Sequence, residues 1–313
     1  MYVNLIYMRA RIANIFTAAP GLTILGFVMA ADLMLCLAGL AVDPRIITGA
    51  PAWLKPAKFA LSTLIAAWSF AYCLASVTVW PRMARVVDWV LTVGLAIEIA
   101  LIDMQAARGT SSHFNFTTEF NGIVFGVMGV SIACIWLAML LLTIILFRQP
   151  FGGSAWGWSL RLGMVLALIG TASGGLMAQP NHMQLAAAHA TGRLPIAGAH
   201  TVGAPDGGPG LPVTDWSARH GDLRIAHFIG MHGLQVLPLL AWWLGRRRVA
   251  AQRNLIFAAA ASYLALFALL LWQALRGQSI IQPDSLTIES FAVWLGLTVV
   301  TVLVLITKKE SLA

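Results

Sequence analysis

Eight stretches of this chain run for about twenty residues each with few charges: Leu22–Val42, Leu54–Val77, Val86–Ala107, Ile123–Phe147, Leu160–Ala178, Leu223–Leu244, Asn254–Leu275 and Phe291–Ile306. A hydrocarbon layer ~30 Å thick needs about 20 apolar residues to cross it as a helix. Backbone groups inside lipid have to be satisfied within their own segment, so such runs are helices and not strands. Only 10% of the residues are charged, against about 25% in soluble domains, so an aqueous fold is excluded. The expectation is an all-α membrane protein with eight transmembrane helices. Residues 1–20 lack a small-residue cleavage site after an apolar core, and Leu5, Met8, Ile12 and Phe16 share one face. They read as a short interfacial helix, not a signal peptide.

The basic residues orient the bundle. If the N-terminus and every second connection share one side, that side holds 12 of the 20 Lys and Arg residues, with Asp88 and Glu310 as its acids. The opposite side carries the other 8 cations and eight acids, Asp103 included. Cations favour the cytoplasmic side, which puts both termini in the cytoplasm of a bacterial inner membrane. The net charge of +8 is then an orientation signal and not a footprint for nucleic acid. Cys36, Cys73 and Cys134 all fall within apolar runs, so no outer disulfide framework is expected.

Two short motifs occur twice. Leu54-Lys55-Pro56-Ala57-Lys58-Phe59 returns as Leu223-Arg224-Ile225-Ala226-His227-Phe228, and Gln105-Ala106-Ala107-Arg108-Gly109 returns as Gln273-Ala274-Leu275-Arg276-Gly277. The offsets are 169 and 168 residues. Such self-similarity marks a tandem repeat: a first four-helix unit over residues 21–150 and a second over 151–313. Four helices per unit is an even number, so both units enter the membrane in the same direction. Lys58 and His227 are then expected at similar depth on opposite sides of a central axis. Between the units' matched motifs lies an extracytoplasmic connection, residues 179–222, whose 44 residues include 12 Gly and Pro. Connections of that length are usually functional, and this one reads as a lid with fixed turns.

All seven histidines fall in the outer half: His113, His182, His189, His200, His220, His227 and His232. Lys55 and Lys58, like Arg224 and His227, are three residues apart and share a helix face. Cations at a helix N-terminus oppose the macrodipole and call for a counter-charge. Asp103, Glu119 and Glu289 are candidates within the protein; the alternatives are a small anionic ligand or lipid headgroups reached by snorkelling. Arg108 and Arg276 suit helix C-termini, with Gly109 and Gly277 as caps. Glu98, His232 and Asp32 lie deep in their helices, where an ionisable group costs about 2.5–3.5 kcal/mol and requires a polar partner or cavity; Glu98 with His232 is one such pairing. His227 and His232 are five apart, about 140° around a helix, and cannot chelate one ion together. His182 and Met231 supply further imidazole and thioether donors, a set suited to copper or haem.

The runs Trp53 to Phe59, Gln105 to Gly109, Ser112-His113-Phe114-Asn115 and Asp222 to Pro238 together resemble a group of uncharacterised bacterial multi-pass membrane proteins, a resemblance that implies no activity. In plan, two four-helix units with an outer-face site, the chain is also similar to haem A synthase. That family carries axial histidines in both halves, whereas Lys58 stands here opposite His227, and its Glu-x-x-x-Arg loop signature is unmatched. Four equivalent axial histidines are excluded.

The first functional expectation is a haem- or copper-binding redox or cofactor-handling protein. His227, His232, His182 and Met231 would be its ligands, and Lys55, Lys58 and Arg224 would hold propionates or another anion. The alternative is a carrier or receptor for a small anionic or lipidic molecule, with Lys58, Glu98, Asp32 and His232 lining its path. A third expectation is an accessory subunit of a membrane complex. Asp103, Arg108 and His113 complete the polar set. No catalytic motif is legible, and neither oligomeric state nor substrate is encoded in any recognisable pattern.

Overall fold

The computed structural model describes residues 14–307; the expected interfacial helix over residues 1–20 lies largely outside them. The chain divides into two units. The first comprises α1 (Pro20–Val42), a hairpin of β1 (Ile46–Ile47) and β2 (Ala50–Pro51), α2 (Leu54–Ala75), α3 (Pro81–Ala107) and α4 (Glu119–Arg148). The second comprises α5 (Ala155–Ser173). A helix within the long connection, α6 (His182–Thr191), groups with the first unit. The second unit then continues with a hairpin of β3 (Thr201–Val202) and β4 (Gly221–Asp222), then α7 (Leu223–Arg246), α8 (Gln252–Leu275) and α9 (Ser285–Thr307).

Seven of these helices are long and apolar enough to cross a membrane. The eight expected spans meet a difference here: α3, though 27 residues long, is not among the seven. It carries Arg82, Arg85, Asp88, Glu98 and Asp103. One of these has a purely architectural use. Asp88 is fully buried and accepts from the backbone N–H groups of Gly21 at 3.2 Å and Leu22 at 3.0 Å. Those donors open α1 and have no partner within the helix; a carboxylate also suits the positive end of the dipole.

Within each unit the same four helix pairs pack: first with second, second with third, first with third, and third with fourth. Small residues set the closest approach. A Cβ on Gly170 of α5 would stand 2.3 Å from the carbonyl carbon of Gly230 on α7, so only glycine lets these backbones touch.

Local details recur at the repeated motifs. α3 ends with Gly109 at φ +74° and α8 with Gly277 at φ +72°. Thr110 N–H reaches the Gln105 carbonyl at 3.0 Å, and Gln278 N–H reaches that of Gln273 at 3.2 Å. Gly109 and Gly277 donate to Ala106 and Ala274, each at 2.9 Å. Both ends are Schellman motifs, in which a left-handed glycine turns the chain back onto the last carbonyls. Beside them, Gln105 Nε2 donates to the Ser111 carbonyl at 3.5 Å and Gln273 Nε2 to that of Ser279 at 3.0 Å. Arg108 Nη1 donates to Asn121 at 2.9 Å, and Arg276 Nη1 to Thr287 at 3.0 Å. Asn121 and Thr287 are each the third residue of the following helix.

The hairpins recur as well. Each joins the first helix of its unit to the second. Ala52 N–H donates to the Arg45 carbonyl at 2.9 Å, and Leu223 N–H to that of His200 at 3.0 Å, closing the two ladders in the same way. In the first hairpin Thr48 and Gly49 have φ of 48° and 79°, the two-residue turn with both central φ values positive that matches strand twist. In the second, residues 203–220 stand in that turn's place. The long connection therefore has fixed structure: a helix, a strand ladder, and a bridge from Ile196 to Asn115 within the first unit.

Candidate functional site

Two groups of ionisable residues form, one in each unit. In the first, Asp32 and Cys36 stand four apart on α1 and so share a face; α3 packs against that helix and brings up Asp103. One donor atom from each of the three lies within 4.8 Å of the others. Cys36 Sγ is 3.9 Å from Asp32 Oδ1. Asp32 Oδ2 and Asp103 Oδ1 are shielded from solvent, and the two side chains lie in hydrogen-bond contact with each other. Among the described residues no salt bridge reaches either carboxylate. Two carboxylates this close cannot both stay charged without a shared proton or a bound cation.

Glu98, on the same α3, is 4% exposed, and its Oε1 lacks a partner. The Lys55 ammonium is within electrostatic reach of it. Lys55 Nζ in turn lies 3.0 Å from His113 Nδ1, with Ser112 Oγ at 2.9 Å from the same nitrogen. A charged ammonium can only donate, which would make Nδ1 the acceptor of that contact. The rings of Phe59, Phe114 and Phe125 surround His113 at 5.9–6.1 Å between centroids. Lys58 is half-buried one turn further along α2. Arg108 packs its guanidinium over Phe120 at 4.5 Å while holding Gln105 and Asn121, a clamp on the end of α3.

The second unit organises its charges around the hairpin. Arg224 takes both oxygens of Asp222, Nη2 to Oδ2 at 2.7 Å and Nε to Oδ1 at 3.0 Å. It also reaches Asp215 Oδ2 at 3.4 Å and the Asp215 carbonyl. Its counter-charge thus comes from the connection itself, and not from the more distant acids considered from sequence; with its donors spent on Asp215 and Asp222, its charge is already balanced. His200 Nδ1 lies 2.7 Å from Asp206 Oδ2. Burial disfavours the Asp206 carboxylate, but the His200 side chain and the N–H groups of His200 and Thr201 outweigh it and hold the carboxyl well below its ordinary range.

His227 donates Nδ1–H to the Gly170 carbonyl at 2.7 Å, and His232 donates to the Phe228 carbonyl at 2.8 Å. In the neutral form of each ring this leaves Nε2 as the acceptor. A Cβ on Gly174 would come within 3.0 Å of His227 Cε1, so a glycine leaves that ring its room. His232 stacks on Phe228 with centroids 4.0 Å apart. Of the four proposed metal ligands, His227, Met231 and His232 belong to the second unit, while His182 is exposed on α6 in the first. Glu98 and His232 likewise belong to different units. Among the described residues, the one group of three His, Cys, Asp or Glu donors close enough to share an ion is Asp32, Cys36 and Asp103.

Cys36 and Asp206 are the site residues that sequence reasoning missed. The Asp32-x-x-x-Cys36 spacing carries a usable signal, since it places both groups on one helix face; nothing local announces that Asp103 completes the set. No protein family, characterised protein or solved structure matches the chain.

Proposed function

We propose that the protein is an ion-coupled membrane carrier whose first unit binds its coupling ion at Asp32 and Asp103. One observation carries this reading: two carboxyl groups from different helices stand in hydrogen-bond contact within a helical bundle, with shielded oxygens and no cation paired to them among the described residues. Intramembrane acids without a paired cation are expensive and typically mark ion pathways and proton relays. Lys55, Lys58 and His113, at the start of α2 and in the loop after α3, would receive the anionic group of a small solute. Glu98 lies on the same α3, five residues before Asp103.

The architecture that goes with this reading has eight spanning helices. α3 is counted because its acids turn inward, one capping α1 and one meeting Asp32. The recurring Schellman motifs, Gln–Arg clamps, hairpins and helix pairings support descent of the two units from one duplicated ancestor. Charge asymmetry supports a bacterial plasma membrane with both termini cytoplasmic. A cysteine placed at Gly208 is then labelled by an impermeant maleimide in intact cells, while Arg247→Cys is protected; the reverse pattern inverts the orientation.

The test of the site is infrared titration of the purified full chain. One protonated carboxyl is expected at neutral pH, recognised by its carbonyl stretch, and lost in both Asp32→Asn and Asp103→Asn. Absence of that band in the wild type, or its persistence in both variants, removes the coupling site.

A second reading, haem or copper at His227, is favoured by the orientation of that ring. Its Nδ1–H is held by a backbone carbonyl, the arrangement that presents Nε2 to a metal. Absorption spectra of the protein supplied with haem and with copper test it: a cofactor band lost in His227→Ala supports the reading, and no band at all ends it.

A further inference from the structure

We propose that Glu98 and Lys55 hold the two ends of a small zwitterion with an apolar side group, its ammonium on Glu98 and its carboxylate on Lys55. The inference rests on the carrier reading and names the class of solute carried. The Glu98 side chain is what points to a ligand. It is buried, at 4% exposure, yet its Oε1 accepts no hydrogen bond, and no salt bridge among the described residues reaches it. Buried side-chain oxygens nearly always have a partner, so the donor for this one is expected from outside the chain.

The second unit fills the matching place differently. At the 168-residue offset that relates Gln105 to Gln273, Glu98 on α3 corresponds to Leu266 on α8. Ser111 and Ser279 supply the carbonyls that accept from those two glutamines, so Ser112 and His113 correspond to Ile280 and Ile281. Leu266 and Ile280 pack against an apolar cluster of Ile225, Ala226, Phe267 and Leu270. Lys55 corresponds to Arg224, whose donors go to Asp215 and Asp222; where Asp222 stands, the first unit has Trp53. Helix packing of this kind is therefore satisfied by hydrocarbon, and the architecture by itself calls for neither the acid nor the imidazole.

The two charges select the ligand. Helix α2 packs against α3, and the Lys55 ammonium lies within electrostatic reach of Glu98. A plain anion on Lys55 would stand near the Glu98 carboxylate, and a plain amine on Glu98 would stand near the Lys55 ammonium. Away from water either like-charge approach is costly. A zwitterion meets each charge with its opposite and adds no net charge to the bilayer interior. An ammonium carries three donors, so the contact of Lys55 Nζ with His113 Nδ1 at 3.0 Å is compatible with another to a carboxylate. The rings of Phe59, Phe114 and Phe125 around His113 make the surroundings apolar, which suits an apolar side group on the solute.

Three probes separate the charges: L-phenylalanine carries both, phenethylamine lacks the carboxylate, and phenylpropionate lacks the ammonium. Each is titrated calorimetrically into the detergent-purified full chain. L-Phenylalanine should bind about tenfold or more tighter than either analogue, the worth of one hydrogen bond between charged groups. Glu98→Gln should weaken L-phenylalanine by a similar factor while strengthening phenylpropionate. Lys55→Gln should weaken L-phenylalanine and strengthen phenethylamine. A merely structural role for either residue would move all three probes together. Circular dichroism and gel filtration verify folding, and should one variant not fold, the other carries the same exchange of preference. No binding of L-phenylalanine, equal affinity for the three probes, or a variant that shifts all three alike overturns the proposal. The infrared titration of Asp32 and Asp103 involves no solute, so failure of the coupling site and failure of the zwitterion site are read separately.

Discussion

The sharpest structural prediction concerns Gly170. Replacing it with alanine puts a methyl carbon 2.3 Å from the Gly230 carbonyl carbon and 2.4 Å from Met231 N. Carbon atoms pack comfortably at about 3.5 Å or more, so α5 and α7 have to part by roughly 1.2 Å. Both obstructing atoms are backbone, and no rotamer change relieves them. Overpacking of this kind costs about 1–3 kcal/mol, and a larger residue such as valine should cost more. The carbonyl of Gly170 itself holds His227 Nδ1 at 2.7 Å, so the shift also unseats that ring. Thermal unfolding in detergent should show a drop of several degrees for Gly170→Ala. Gly126→Ala is the control: it lies on α4 with nothing within 4 Å of its Cβ position, and should be neutral or slightly stabilising through helix propensity. Equal melting temperatures for Gly170→Ala and the wild type would refute the close approach of the two helices.

Other expectations follow from single contacts. Asp88→Ala leaves the N–H groups of Gly21 and Leu22 buried without an acceptor, at about 1–3 kcal/mol each; Asp88→Asn keeps an acceptor and should melt closer to the wild type. Arg224→Ala strands the fully buried Asp222 side chain and should cost about 3–5 kcal/mol. Arg224→Ala with Asp222→Asn should recover part of that loss, and failure to recover would mean that Arg224 acts elsewhere. Asp206 is held below its ordinary range, so its contribution is present above about pH 4 and is lost as the pH falls through its folded value. Hydrogen exchange over residues 199–222 should accelerate at acidic pH in the wild type and already be fast at neutral pH in Asp206→Asn.

The helices were legible because lipid leaves the backbone few choices: apolar runs of the right length mark α1, α2 and α4 within a few residues. Gly109 and Gly277 announced their caps for an equally local reason, since a left-handed residue after a helix is most readily glycine. What the residues did not disclose is contact between segments distant in the chain. Asp103 reads alone as a helix acid, and its meeting with Asp32 and Cys36 depends on how α1 and α3 pack. Arg224 reads as a cation in need of an anion, and its partners Asp215 and Asp222 were nearby in sequence yet were passed over for deeper acids.

The two hairpins, each between the first and second helix of its unit, enclose two residues in one case and eighteen in the other. The ends of that segment are already tied by the strand ladder, so lengthening it raises the closure entropy only as a logarithm, about 2 kcal/mol for this ninefold growth. A site of this kind is where new sequence can accumulate without disturbing the helices below. It is equally where foreign sequence can be spliced: an epitope, a reporter or a small binding domain inserted near Gly208 would inherit two fixed anchor points, and the membrane-embedded part would fold beneath it unchanged.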